Sequence, residues 1–209
     1  MKSFDIITEA DARTLEIGTS VTLKPGGHVT PLAADTLKMR RITVLSAVAE
    51  AGLDGLAPVA DIKSVAIGSD HSGVALKARL REHLRQRGLS VIDVGTEGSD
   101  PVDYPDIAAQ VSRLVARKEV DAAIVIDGAG IGSAIAANKI PGARAAMCND
   151  KTLARYSREH NGANILALGA TLVSADEAKA IVDTWLATPM GEARYIRRLA
   201  KIRALERMP

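Results

Sequence analysis

Residues 120–139, VDAAIVIDGAGIGSAIAANK, restrict the possible folds more than any other stretch of this chain. An apolar run from Ala122 to Ile126 stops at Asp127, three glycines follow at alternate positions (Gly128, Gly130, Gly132), and Ser133 to Lys139 reads as a helix. Strand, glycine loop and helix in that order are how an α/β sheet presents backbone N–H groups to an anion at its carboxyl edge. Asp127 is the odd member. A negative charge where those donors converge repels bound phosphate, so the residue reads as a proton-transfer group or as a polar anchor.

The same strand-then-helix rhythm runs from residue 63 onward. Strands are expected over 64–68, 90–94, 122–126, 143–148 and 165–168, and helices over 73–87, 104–117, 133–139, 151–160, 175–186 and 192–206. Five strands alternating with helices imply a Rossmann-like three-layer α/β fold with a five-stranded parallel sheet and right-handed crossovers. The core has to be aliphatic, because 47% of residues are hydrophobic and only 2% aromatic, which suits parallel strands buried on both faces.

Residues 1–62 read as a small N-terminal extension without this rhythm, leaving 63–209 as the main domain. In the extension Thr8 and Asp11 have capping-box spacing, Val21 and Leu23 alternate as in a strand, and Pro25-Gly26-Gly27 reads as a turn. Thr30-Pro31 looks like an N-cap and first helical residue, a further helix is expected over 42–56, and 55–58 reads as a linker.

A net charge of +2 argues against a dedicated nucleic-acid binder. No apolar run is long enough to cross a bilayer, the N-terminus is too polar for a signal peptide, and the single Cys148 excludes an internal disulfide. A cytoplasmic protein is the expectation. No cluster of His, Cys and carboxylates has metal-ligand spacing, so a metal is not implied.

Several other residues are candidates for chemistry. GSDHSG closes the first strand of the main domain, where open sheets bind ligands; Asp70 there fits helix capping as well as ligand contact, whereas a helix opening gains nothing obvious from His71. Asp103 reads as an N-cap beside Tyr104, which can pack or offer its hydroxyl. In SREHNG, His160 suits a helix C-terminus and Asn161 or Gly162 a left-handed cap. Its distance from the next strand's carboxyl edge also suits reaching a neighbouring subunit. Arg194 and Arg198 share a helix face and can grip one phosphate, although a solvated face explains them too. A dinucleotide site is disfavoured: Gly132 lies two positions after Gly130, not three, although Asp150 sits near the expected ribose-binding position.

GSDHSG, DYPD, the glycine loop with IAANK, SREHN and ARYIRR, in that order, resemble the type B ribose-5-phosphate isomerase family, which includes the galactose-6-phosphate isomerase subunits. The resemblance runs from about Ser64 to the C-terminus. It implies interconversion of an aldose and a ketose phosphate, ribose 5-phosphate and ribulose 5-phosphate foremost, through a cis-enediolate without metal or cofactor. It further implies that His160 opens the sugar ring and that backbone N–H groups around Gly128, Gly130 and Gly132 hold the enediolate oxygens. His71, Arg194 and Arg198 would bind phosphate, while Asp70, Tyr104, Ser133 and Asn161 would contact the substrate. A homodimer or homotetramer with sites at the subunit interface is part of the same expectation.

The departures from the family pattern are specific. Asp127 stands where many members carry a catalytic Cys, and Ser133 where others carry Glu, so Asp127 is the candidate base. Ala129 replaces a hydroxyl residue and Thr171 an Arg. A half-site subunit of a heteromeric isomerase and a non-catalytic sugar-phosphate-binding protein are the alternatives. The first sixty residues, ITEADAR…PGGHVTPLAADTL, resemble the N-terminal segment of some microcompartment-associated enzymes, which suggests a place in or near a bacterial microcompartment.

Overall fold

The structure, a computed structural model, describes residues 2–46, 56–190 and 193–206. The N-terminal part follows the order β1 (Ser3–Ile7), α1 (Glu9–Thr14), β2 (Ser20–Val29), α2 (Pro31–Met39) and β3 (Thr43–Ser46). Its strands form a three-stranded parallel sheet in the order β1-β2-β3. The extension therefore does alternate strand and helix, contrary to the sequence expectation.

Two details hid this alternation. Pro25-Gly26-Gly27 lies inside β2, not in a turn; the register slips so that Phe4 faces Leu23 while Ile6 faces His28, and the extra β2 residues are absorbed as an irregularity. Thr43–Ser46, expected as the start of a helix, pairs with β2 instead, and residues 47–55 of that expected helix lie outside the described residues. The capping box is present: Thr8 N–H donates to Asp11 Oδ2 at 2.9 Å and Asp11 N–H to Thr8 Oγ1 at 3.4 Å. Pro31 opens α2 as expected. Ile7, Ala12, Leu15, Val21, Leu23, Ala33, Leu37 and Ile42 give this part a hydrophobic cluster of its own.

The main domain continues with β4 (Ser64–Ser69), a 3-10 turn (His71–Gly73), α3 (Val74–Gln86), β5 (Ser90–Asp93), α4 (Tyr104–Ala116), β6 (Ala122–Asp127) and α5 (Ile131–Ala137). β7 (Ala145–Met147), α6 (Lys151–Glu159), β8 (Ile165–Gly169), α7 (Ala175–Ala187) and α8 (Ala193–Leu205) complete it. The five strands are parallel in the order β5-β4-β6-β8-β7. Successive residues point to opposite faces. Val65, Ile67, Ile124, Ile126, Leu166 and Leu168 pack with α3 and α7 on one side. Ala66, Ala123, Val125, Ile165 and Ala167 pack with α4 and α5 on the other. β6 is buried along its whole length, which is why it reads as an unbroken apolar run.

This topology sets the position of the site. From β4 the chain moves outward to β5 and then returns across the sheet to β6. The carboxyl ends of β4 and β6 therefore flank the point where the winding reverses, the place where open sheets leave a crevice for ligands.

Candidate active site

At the carboxyl edge β4 delivers Asp70 and His71. Asp70 is buried and Oδ1 caps the following turn, accepting Ser72 N–H at 2.9 Å, the Ser72 hydroxyl at 2.5 Å and Gly73 N–H at 3.3 Å. Capping, one of its two expected roles, is present. His71 is exposed, and its Nδ1 accepts Val102 N–H at 3.3 Å, an acceptor role that leaves the ring proton on Nε2. Tyr104 opens α4 and lies across the glycine loop: a Cβ at Gly132 would sit 2.6 Å from the Tyr104 Cζ and 2.9 Å from its hydroxyl oxygen. Gly132 is thus the residue that admits the tyrosine ring.

The loop itself is built around Asp127. Its Oδ1 accepts Ala129 N–H at 2.8 Å and also Gly130 N–H, and its Oδ2 accepts Ser133 N–H at 2.8 Å. Gly130 supplies the left-handed turn, with φ of 78°, that aims these donors inward at the start of α5. Asp127, read from the sequence as a proton-transfer group or a polar anchor, is here anchored by its own loop. The carboxylate is 5% exposed and turned into its own loop, because three backbone donors converge there and it is the nearest anion. Dinucleotide phosphate has no vacant cradle in this loop, and Asp150 is occupied as the N-cap of α6, accepting Leu153 N–H at 2.8 Å.

Three further bonds fasten the loop to the residues after β8. Ala170 N–H donates to Asp127 O at 2.8 Å, and Thr171 donates to Gly128 O through its N–H at 3.0 Å and its hydroxyl at 2.6 Å. Thr171, standing where the resemblance expects an Arg, ties the loop to the segment after β8. Ser69 and Ser133, at the ends of β4 and the start of α5, are fully buried with hydroxyls that have no partner among the described residues.

The second group of expected residues lies elsewhere. α6 runs back from the carboxyl end of β7, so His160 at its C-terminus lies near the amino edge of β8. Five residues of β8 separate the two edges, about 13 Å at the rise of a parallel strand. His160 is stacked on Tyr156 with ring centroids 4.8 Å apart and faces Tyr195 at 5.0 Å, while the Arg198 guanidinium lies 5.6 Å from the Tyr195 ring. Asn161 lines a cavity of about 530 Å³ together with Asn138, Arg144, Ser157 and Ile202. The Arg194 side chain lies outside the described residues.

Sequence reasoning passed over two residues at this edge. Arg158 is fully buried and donates to the carbonyls of Val59 (2.8 Å), Ala163 (2.9 Å) and Thr188 (3.3 Å). Arg144 donates to those of Leu56 (2.9 Å) and Gly162 (2.8 Å). Burial and the nearby Arg144 charge push the Arg158 guanidinium down to about 10, and burial lowers Arg144 as well. The available signal was spacing: Ala154 and Arg158 are one turn apart, so the buried face of α6 runs through the arginine.

The main domain matches the model of the ribose/galactose isomerase family over residues 65–202. The chain belongs to that family. Ribose-5-phosphate isomerase B of Escherichia coli is 45% identical over 145 residues, 69% of this chain and 97% of that protein. D-erythrulose-4-phosphate isomerase of Pectobacterium atrosepticum is 38% identical over 125 residues, 59% of this chain and 82% of that one. Among solved structures, ribose-5-phosphate isomerase B of Clostridium thermocellum superposes with a TM-score of 0.68 at 50% identity, covering 68% of this chain and 97% of its own. The family match begins inside β4, after the three-stranded sheet.

Proposed function

We propose that this chain interconverts an aldose phosphate and a ketose phosphate, with ribose 5-phosphate and ribulose 5-phosphate as the principal pair. Family membership makes it a sugar-phosphate isomerase, and one observation carries the mechanism: the glycine loop already holds a bidentate anion. Asp127 occupies Ala129, Gly130 and Ser133 N–H with two oxygens, a charge and spacing close to those of the oxygens of a cis-enediolate. Preorganised donors of this kind stabilise a developing oxyanion.

In the reacting complex the Asp127 carboxylate swings out of the loop toward the sugar and the enediolate takes over the donors it leaves. The proton removed from C2 goes to Asp127 and returns at C1, while a hydrogen passes between the two oxygens. His160 opens the ring, and His71, Arg194 and Arg198 hold the phosphate, whose remote binding orients the reacting carbons. Because His160 and the loop occupy opposite edges of one sheet, a complete site takes its His160 from a second copy of the chain, in a homodimer.

A second reading is favoured by the same three bonds: Asp127 is a fixed anchor and never takes the proton. Conversion of ribose 5-phosphate in deuterated water separates the two. With Asp127 as base, Asp127→Asn loses about 10²–10⁴-fold in turnover, and Asp127→Cys, with a thiolate that leaves the loop donors free, retains conversion and solvent deuterium incorporation. With Asp127 as anchor, both variants lose loop geometry and the Cys variant is inactive. Turnover of Asp127→Asn at the parent rate removes Asp127 from proton transfer altogether.

A further inference from the structure

The stretch that precedes the family domain is joined to the His160 turn by two guanidinium bridges. Arg144 binds Leu56 O through Nη2 and Gly162 O through Nε, at 2.9 and 2.8 Å. Arg158 binds Val59 O through Nη2 and Ala163 O through Nη1, at 2.8 and 2.9 Å. Each arginine thus spans one carbonyl of residues 56–59 and one carbonyl of the turn that immediately follows His160 and Asn161. Between the bridges Pro58 fills the space beside Gly162, where a Cβ would meet the proline Cδ at 3.2 Å and Leu199 Cδ1 at 2.8 Å. Leu56 is 2% exposed.

A guanidinium is planar, and its donors keep a fixed mutual geometry, so moving one bonded carbonyl moves the other or breaks a bond. Breaking one is costly here, because Arg158 is fully buried and all its bonds go to backbone carbonyls. The curated relative from Escherichia coli matches over 97% of its length with only 69% of this chain, so an extension of this size is absent from it.

We propose that residues 56–59 are a positioning element of the isomerase site: through Arg144 and Arg158 they set the placement of His160 and Asn161, and with it ring opening. The role assigned to His160 rests on the function proposed above; the mechanical coupling does not. The test inserts Gly-Gly between Pro58 and Val59 in the full chain, so that Leu56 O and Val59 O can no longer both meet their arginines. The same insertion between Ala51 and Gly52, upstream of both carbonyls, is the control.

The first readout is the NMR signal of the His160 imidazole in the ligand-free protein, which makes no assumption about what the ring does. It shifts in the 58/59 insertion and not in the control; an unchanged signal, or equal shifts in both, overturns the proposal. The second readout compares ribose 5-phosphate, which must be ring-opened, with a tetrose 4-phosphate, whose esterified O4 forms no furanose ring. The 58/59 insertion lowers kcat about tenfold on the pentose and less than about twofold on the tetrose, with KM little changed, as expected for a misplaced group acting on one step. Equal losses on both sugars, with His160→Asn discriminating between them, overturn the coupling to ring opening. If His160→Asn itself fails to discriminate, the ring-opening assignment falls and the imidazole signal alone decides the mechanical bridge.

Discussion

The two edges of the five-stranded sheet organise polar groups in opposite ways. At the carboxyl edge the donors are backbone N–H groups and the side chain at their centre, Asp127, is an acceptor. At the amino edge the donors are the side chains of Arg144 and Arg158 and the acceptors are backbone carbonyls. A parallel sheet presents free N–H groups at helix starts near one edge and free carbonyls at helix ends near the other, so an anion suits the first and a cation the second. The contrast teaches that a reaction needing both an oxyanion cradle and an imidazole draws on both edges, which one copy of the chain holds at opposite ends of its strands.

The amino edge is the place to break this contrast hardest. Arg158→Met leaves the carbonyls of Val59, Ala163 and Thr188 without their donor, and denaturant unfolding is expected to show a loss of about 4 kcal/mol. At the carboxyl side of β7, Cys148 supplies a check of another kind. Burial pushes its thiol from 9.0 up to about 11, so near pH 8 native protein alkylates about a hundredfold more slowly than expected for a thiol of ordinary pKa, and unfolding restores the rate. Rapid native alkylation would show that this region opens.

Gly130→Ala attacks the backbone cradle directly. It places a Cβ in a left-handed residue, 2.8 Å from the Leu168 carbonyl carbon, for an expected loss of about 2 kcal/mol and of most turnover, read by thermal melting and the isomerase assay. The mildest change is Thr171→Val. It removes the hydroxyl bond to Gly128 O, and a stability loss of about 1 kcal/mol with a few-fold fall in kcat is expected. A Thr171→Val enzyme with raised KM and unchanged kcat would instead place the hydroxyl on the substrate.

Legibility in the sequence follows the same physics. The main sheet could be read because β6 and β8 are buried on both faces and so appear as the runs AAIVID and ILALG, bounded by glycines. The N-terminal sheet was hidden by a proline and two glycines within β2 and by the brevity of β3, four residues that continue an apolar stretch. In the site, the glycine loop and its neighbour Tyr104 were legible as motifs. The direction of the Asp127 carboxylate was not, since it depends on the left-handed Gly130 and on donors brought together only when α5 begins. Arg158 was read as part of a motif and its burial missed, because a charged residue on a helix end has an ordinary explanation until the carbonyls facing it are known.

The only tryptophan of the chain gives this architecture an internal reporter. Trp185 is fully enclosed, its indole N–H donates to Ser157 Oγ at 3.1 Å, and the Arg158 guanidinium rests 4.8 Å from its ring. Emission from this indole, in contact with that cation, responds to displacement of the bridging arginine. Intrinsic fluorescence therefore offers a label-free probe of how residues 56–59 seat against Arg158.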